Sequence, residues 1–186
     1  AIMGGPVVIG PSIKLPFKES FKGGNIDNGF AWVSGNDQYN NNDEAAGWLL
    51  DTENTADGDG GSAAWHAYSQ DQGWLGTVDY TISDGDETSI NTPKISLRGA
   101  TNPKLFFSLY ATANDPVEFK VFVQTPDGVD HLAKTIDLST NATAGWTTQE
   151  VDLSDYASER YIMVRFDGLA KGSDVNIGVD NVNIFD

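Results

Sequence analysis

Apolar and polar residues alternate along most of this chain with a period of two, not 3.6. The clearest runs are residues 104–110, 118–125, 160–166 and 175–184. In the second, Phe119, Val121 and Val123 alternate with Lys120, Phe122 and Gln124, so one face is apolar and the other mixed. Shorter stretches of the same character lie at 17–21, 30–33, 47–50, 62–68, 78–81, 94–97, 132–137 and 146–153. Turn residues separate them, as in Asn102-Pro103, Pro126-Asp-Gly128, Ala144-Gly145 and Lys171-Gly172. No stretch reads as an amphipathic helix of about ten residues or more, and no repeat of fixed period is present. Roughly ten to twelve strands at this spacing predict an all-β fold, a two-sheet antiparallel β-sandwich.

The chain has 186 residues, which suits one domain. Residues 1–13 carry no charged start and no cleavage-site pattern, so they read as a linker or the tail of a preceding module. The domain itself is expected over 14–186. No apolar run approaches the roughly 20 residues that cross a bilayer, so membrane insertion is not expected. There is no cysteine, which excludes disulfides, thiolate metal sites and cysteine nucleophiles.

Charge narrows the function further. A formal charge of −16 argues against nucleic acid and anionic membranes, which reward clustered Lys and Arg. The excess is also uneven. Between Lys22 and Lys94 there is no Lys or Arg, yet that stretch holds 13 acids and many Asn and Gly residues. Such carboxylates have no local ion pairs, so they sit in water or hold a hard cation, for which oxygen ligands suit calcium.

Four acids stand out. In Phe17-Lys-Glu-Ser-Phe21, strand periodicity puts Glu19 on the face of Phe17 and Phe21, where an unpaired carboxylate would cost several kcal/mol. Asp180, in Val179-Asp-Asn-Val182, presents the same problem on the last strand. Two such carboxylates repel unless a cation lies between them; otherwise Glu19 faces solvent or pairs with Lys18 or Lys22. Asp57 and Asp59, in Asp57-Gly-Asp-Gly-Gly-Ser62, offer a glycine-rich turn to a metal, though not an EF-hand, because position 12 is Tyr68.

Signals for catalysis are thin. Glu150 and Asp152 alternate as carboxylates do in some glycosidases, but Asp155 falls where a turn is expected and no matched second acid is identifiable. The two histidines, His66 and His131, form no metal-binding pair. No catalytic residue is assigned. The aromatics suggest binding instead. Residues 51–86 are loop-like in composition yet hold Trp65, Tyr68, Trp74 and Tyr80, more than disordered loops carry. These four are the candidate ligand-binding residues, Trp74 because glycines and polar residues flank it. Trp32, Trp48 and Trp146 are expected in the core. Asn141-Ala-Thr143 fits a glycosylation sequon.

The order of short motifs resembles a known group. Leu15-Pro-Phe-Lys-Glu-Ser-Phe21, Trp32, Trp48 and Gly60-Gly-Ser-Ala63 are similar to the opening of bacterial MAM-like jelly-roll modules. These are the cleaved-adhesin domains of gingipain-type proteins and the related choice-of-anchor family. The likeness continues through residues 91–97, 103–109 and 119–123, then Trp146, 151–156, 164–166 and 177–184. It departs between Trp65 and Glu87, where this chain is longer and richer in aromatics. The resemblance implies a jelly roll, secreted or on the cell surface, beside other modules of one polypeptide. It also implies a calcium ion joining first and last strands through the positions of Glu19 and Asp180, with Asp57 and Asp59 nearby. The expected function is a non-catalytic binding or adhesion module for carbohydrate or a host or matrix protein, with structural calcium. The alternatives are a spacer domain in a larger surface protein and, behind it, a glycoside hydrolase.

Overall fold

The structure is a computed structural model that describes residues 11–26, 33–34, 44–140 and 144–186, so Trp32 and the sequon at 141–143 lie outside the described residues. Among the described residues there are fifteen strands: β1 (Ile13–Lys14), β2 (Phe17–Glu19), β3 (Val33–Ser34), β4 (Leu49–Asp51), β5 (Ser62–His66), β6 (Tyr68–Asp71), β7 (Thr77–Tyr80) and β8 (Glu87–Asn91), then β9 (Ile95–Ser96), β10 (Lys104–Ala111), β11 (Val117–Gln124), β12 (Asp130–Asp137), β13 (Gly145–Asp152), β14 (Met163–Ala170) and β15 (Asn176–Phe185). One sheet runs β13-β10-β15-β5-β4, with β2 also paired to β15, and the other runs β12-β11-β14-β8-β3. Both are antiparallel. The chain is the two-sheet antiparallel sandwich that its periodicity predicts, in the jelly-roll form that the resemblance implies. Two small pairs stand outside the main sheets: β6 with β7, and β1 with β9, the latter parallel.

The core lies between the sheets and is filled by alternate residues of each long strand. Leu105, Phe107 and Leu109 of β10 meet Phe119, Val121 and Val123 of β11, and Val164 and Phe166 of β14. Phe107 packs edge-on against Phe166 at 5.0 Å and tilted against Phe119 at 6.0 Å. Truncating such a ring costs about 3–5 kcal/mol.

Trp65 corrects an expectation. It is fully buried between the sheets, its Nε1 donating to the Ala46 carbonyl at 2.9 Å, and it stacks on Trp48. A Cβ on Gly168 of β14 would lie 2.5 Å from its ring, so that glycine makes room for the indole. Trp65 is a core anchor and no ligand can reach it. Trp48 is buried as expected. Trp146 is only half-buried, against Tyr110 on the outside of its sheet, with Nε1 bonded to Asn54 Oδ1.

Strand β8 is an element that periodicity misses, because Glu87-Thr-Ser-Ile-Asn91 holds one aliphatic residue and follows an acidic turn. It is nevertheless central, pairing with both β14 and β3. Its polar residues align with those of its neighbours on the side of the sheet away from the core. Phe122, Arg165 and Asn91 form one row, Lys120, Asp167 and Ser89 the next, and Glu118, Leu169 and Glu87 a third. Arg165 and Asp167 are completely withdrawn from solvent. Burial, and then the neighbouring Glu87 carboxyl, push the Asp167 carboxyl up to about 9, against the opposing pull of Arg165 and Lys120.

This shift has a readable sign. An ordinary Asp titrates near pH 4, so the fold favours protonated Asp167. Its contribution is complete below about pH 4 and is lost as pH rises toward 9. Asp167→Asn cannot ionise, so its stability relative to wild type should grow steadily from pH 4 to pH 9. Urea unfolding of both proteins at three pH values checks this, and a constant difference would contradict it.

Candidate functional site

The acidic end of the sandwich is set by how β15 changes partners. Before Asp180, β15 pairs with β5 through Asn176–Val179; after it, Val182 to Ile184 pair with β2. On its other edge the register with β10 jumps between Phe106↔Asn183 and Ser108↔Asp180, so β15 has one residue too many there. That is a β-bulge, and Asn181 takes it up with a left-handed φ of 48°. The bulge turns Val179 and Val182 both inward and leaves Asp180 where the loop before β5 folds over it.

That loop brings Asp57 and Asp59. Carboxylate oxygens of Asp57, Asp59 and Asp180 lie within 4.8 Å of one another. Asp180 is wholly buried, Asp59 half-buried and Asp57 exposed. Backbone amides orient them. Ala56 N–H donates to Asp180 Oδ2 at 2.9 Å and Asn181 N–H to Oδ1 at 2.7 Å. Asp57 Oδ1 accepts from Asp59 N–H at 3.2 Å, and Asp59 Oδ1 from Gly61 N–H at 3.3 Å. Among the described residues no Lys or Arg pairs with any of the three. Burial pushes the Asp180 carboxyl up to about 6, helped by the negative charges of Asp57 and Asp59. Asp59 is raised as well, by burial and then by Asp57.

Glu19 stands beside this cluster but outside that 4.8 Å grouping. It pairs directly opposite Val182 and so shares the face of Val182, while Asp180 lies across the bulge. Its Oε2 accepts the Phe21 N–H at 3.1 Å, fixing the turn at the end of β2. The acidic loop presses on that same turn. Gly23 N–H donates to the Asp59 carbonyl at 3.2 Å, and a Cβ on Gly61 would fall 1.4 Å from the Phe21 carbonyl oxygen. The arrangement gathers three carboxylates with no Lys or Arg beside them, hard oxygen donors of the kind that suit calcium.

The aromatic candidates divide. Tyr68 and Tyr80 face each other across the β6–β7 hairpin, their rings stacked at 4.9 Å and partly buried on the core. Gln72 Nε2 donates to the Tyr80 hydroxyl at 3.3 Å. At the tip, a short 3-10 turn over Gly73–Leu75 presents Trp74, which is 93% exposed. Asp71 Oδ1 accepts the Gly73 N–H and the Gln72 N–H donates to the Gly76 carbonyl, so the tip is tied down. Trp65, as described, belongs to the core.

The acids considered for catalysis do not converge. Glu150 pairs with Lys104 at 3.1 Å, and Asp152 caps the Ser154 N–H at 2.9 Å. His66 lies 3.6 Å from Asp51, and His131, at the start of β12, contacts the Thr125 hydroxyl at 3.1 Å. Sequence reasoning missed the polar rows of Arg165, Asp167 and Asn91. The charged pair flanking Phe166 within an otherwise apolar strand is the signal that marks them.

No family model and no curated protein sequence matches this chain. Solved structures do. The K1 cleaved adhesin domain of Lys-gingipain from Porphyromonas gingivalis aligns over 91% of this chain and 97% of its own, with a TM-score of 0.57 and 15% identity. TmCBM61, solved with beta-1,4-galactotriose, gives a TM-score of 0.55 at 12% identity over 90% of this chain and 94% of its own. The CBM22-1 xylan-binding domain of Paenibacillus barcinonensis gives 0.53 at 8% identity over 94% and 96%. At these identities the likeness is one of fold. The class is the β-sandwich shared by adhesin domains and carbohydrate-binding modules. Among the described residues, no helix is long and apolar enough to cross a membrane.

The contact between Gly61 and the Phe21 carbonyl gives a direct test of how the acidic loop is held. Gly61→Ala should destabilise the protein by about 1–3 kcal/mol or more, since backbone must move. Gly58→Ala meets open space and should cost only about 1 kcal/mol for its left-handed φ. Denaturant titrations of the two variants compare them; equal losses would show that the loop is not pinned at Gly61.

Proposed function

We propose that this chain is a non-catalytic extracellular module that binds carbohydrate and carries calcium in a structural role. One observation carries the reading. Trp74 is displayed almost bare at the tip of a hairpin whose backbone is tied and whose base is a stacked tyrosine pair. A rigid, exposed indole is a costly arrangement without a partner, and the flat apolar faces of sugars pack on such rings. Two of the similar structures are a xylan-binding domain and a module in complex with galactotriose, which supports carbohydrate as the class. The adhesin likeness keeps a host or matrix protein as the second ligand class. Secretion or surface display within a multimodular polypeptide belongs to the same reading.

For the cation, Asp57, Asp59 and Asp180 are the proposed carboxylate ligands, and Glu19 holds the turn against which their loop rests. When bound, calcium would supply the positive charge that this base-free cluster lacks. A metal held only by the folded state stabilises by RT ln(1 + [L]/Kd), about 2.7 kcal/mol at 100 times Kd.

Two experiments test these statements. A glycan array probed in calcium and in EDTA should show binding to one glycan class, lost in Trp74→Ala at unchanged melting temperature. Silence in both buffers would favour a protein ligand or a spacer role and retire the carbohydrate reading. For the metal, Asp57→Asn keeps an oxygen for the Asp59 N–H but removes one charge. It should melt several degrees below wild type in millimolar calcium, and level with or above it in EDTA. The same difference in both buffers would remove the metal.

A further inference from the structure

The bases of this chain are few, and several of them gather at one place without neutralising partners. Against 27 acids there are 11 Lys and Arg, so carboxylates are in ample supply. Lys104, Lys120, Arg165 and Lys171 each lie within 3.9 Å of one. Among the described residues, Lys14, Lys94, Arg98 and Arg160 make no ion pair.

Three short segments bring these four together. Parallel pairing of β1 with β9 sets Lys14 opposite Ser96, and the Ile13 N–H donates to the Lys94 carbonyl at 2.8 Å. On its other side β9 meets Ile162, the Ile95 and Ile162 amides each donating to the other's carbonyl at 2.8 Å. Ile13, Ile95 and Ile162 pack on the core, so the alternating positions of Lys14, Ser96 and Tyr161 turn outward. The chain then turns after β9, where the Arg98 N–H donates to Ser96 Oγ at 3.3 Å. The result is an open recess of about 530 Å³ lined by Ser12, Lys14, Leu15, Ser96, Arg98 and Arg160. Lys94 stands at its margin. Its Nζ lies 4.8 Å from the centre of the Tyr161 ring, and the Arg160 guanidinium lies 6.0 Å from the same ring. The ring holds both cations by its face without cancelling their charge.

No acid lines the recess, and Glu159, beside Arg160 in sequence, pairs with no base among the described residues. Lys and Arg side chains only donate, and the two serine hydroxyls can donate as well, so the walls call for an anion rich in acceptor oxygens. The rest of the molecule limits its size. With a net charge of −16, an extended polyanion leaving the recess would meet acidic surface within a Debye length of about 8–10 Å. A compact anion avoids that repulsion. Bases arriving from three separate segments also suit a tetrahedral group, whose oxygens point in several directions, better than a planar carboxylate that one guanidinium fork can satisfy.

We propose that the recess between Lys14, Arg98 and Arg160 is a binding site for a compact tetrahedral oxyanion, a phosphate or sulfate group. It is built on different elements from the Trp74 hairpin and the Asp57, Asp59 and Asp180 cluster, and it depends on the reading of neither.

The test is titration of the wild-type chain at fixed ionic strength with inorganic phosphate, inorganic sulfate, O-phosphoserine, acetate and dextran sulfate. Binding is followed by calorimetry and by the Arg98 and Arg160 Nε–H signals in NMR. Phosphate or sulfate should shift both signals saturably and bind more tightly than acetate. Arg98→Gln and Arg160→Gln should each weaken binding about tenfold, the loss of one charge-assisted contact, with melting temperatures near wild type because neither base has an ion pair to lose. Lys134→Gln, which removes a base on β12, should leave affinity unchanged. O-phosphoserine binding as tightly as phosphate would assign the group to a monoester, and weaker binding would assign it to the free ion. Equal weakening in Lys134→Gln would show diffuse attraction and overturn the site, as would the absence of any shift with phosphate or sulfate. Acetate binding as tightly would overturn the tetrahedral assignment, and a preference for dextran sulfate at equal sulfate concentration would overturn the compact one.

Discussion

The acidic end of this molecule depends on a break in the pairing of β15. A strand that kept its register past Val179 would present one unbroken edge to β5, and Asp180 would point into water. One extra residue at Asn181 ends that, hands the strand from β5 to β2, and leaves a gap that the Asp57–Gly61 loop fills. The loop fits only because Gly61 has no side chain against the Phe21 carbonyl. Three carboxylates are therefore brought together by backbone geometry, not by attraction between them. Their mutual repulsion is a stress on the fold that a cation would relieve.

The second sheet carries a different stress. Its inner face is a conventional aromatic core built on Phe107, Phe119 and Phe166. Its outer face buries an arginine, an acid raised to about 9 and an asparagine with no partner. The apolar side supplies the stability, by dispersion and by removal of surface from water. That surplus is what allows the polar side to remain unsatisfied.

The fold was legible in the sequence because its long strands obey a period of two, and one face of each is aliphatic or aromatic. What periodicity could not show was β8, whose inward side chains include a threonine and whose outward ones are polar. Trp65 was misplaced for a related reason. Its surroundings, rich in Gly, Ser and Asp, look like loop, and the space it fills is made by Gly168, about a hundred residues away in sequence. The acidic cluster was partly visible, since a stretch without Lys or Arg leaves carboxylates without local partners. The spacing of Val179 and Val182, three residues where two are expected, records the bulge, but only the paired strands reveal what it does to Asp180 and Glu19.

The hairpin of β6 and β7 belongs to neither main sheet. Among the described residues Tyr68 and Tyr80 pack it onto the core, and its two strands pair with each other and with no other strand. Substitutions at its tip are thereby uncoupled from the packing between the sheets. Such an arm can change its chemistry through evolution at little cost to folding. Two proteins sharing this sandwich can then diverge in what they hold while their frameworks stay superimposable.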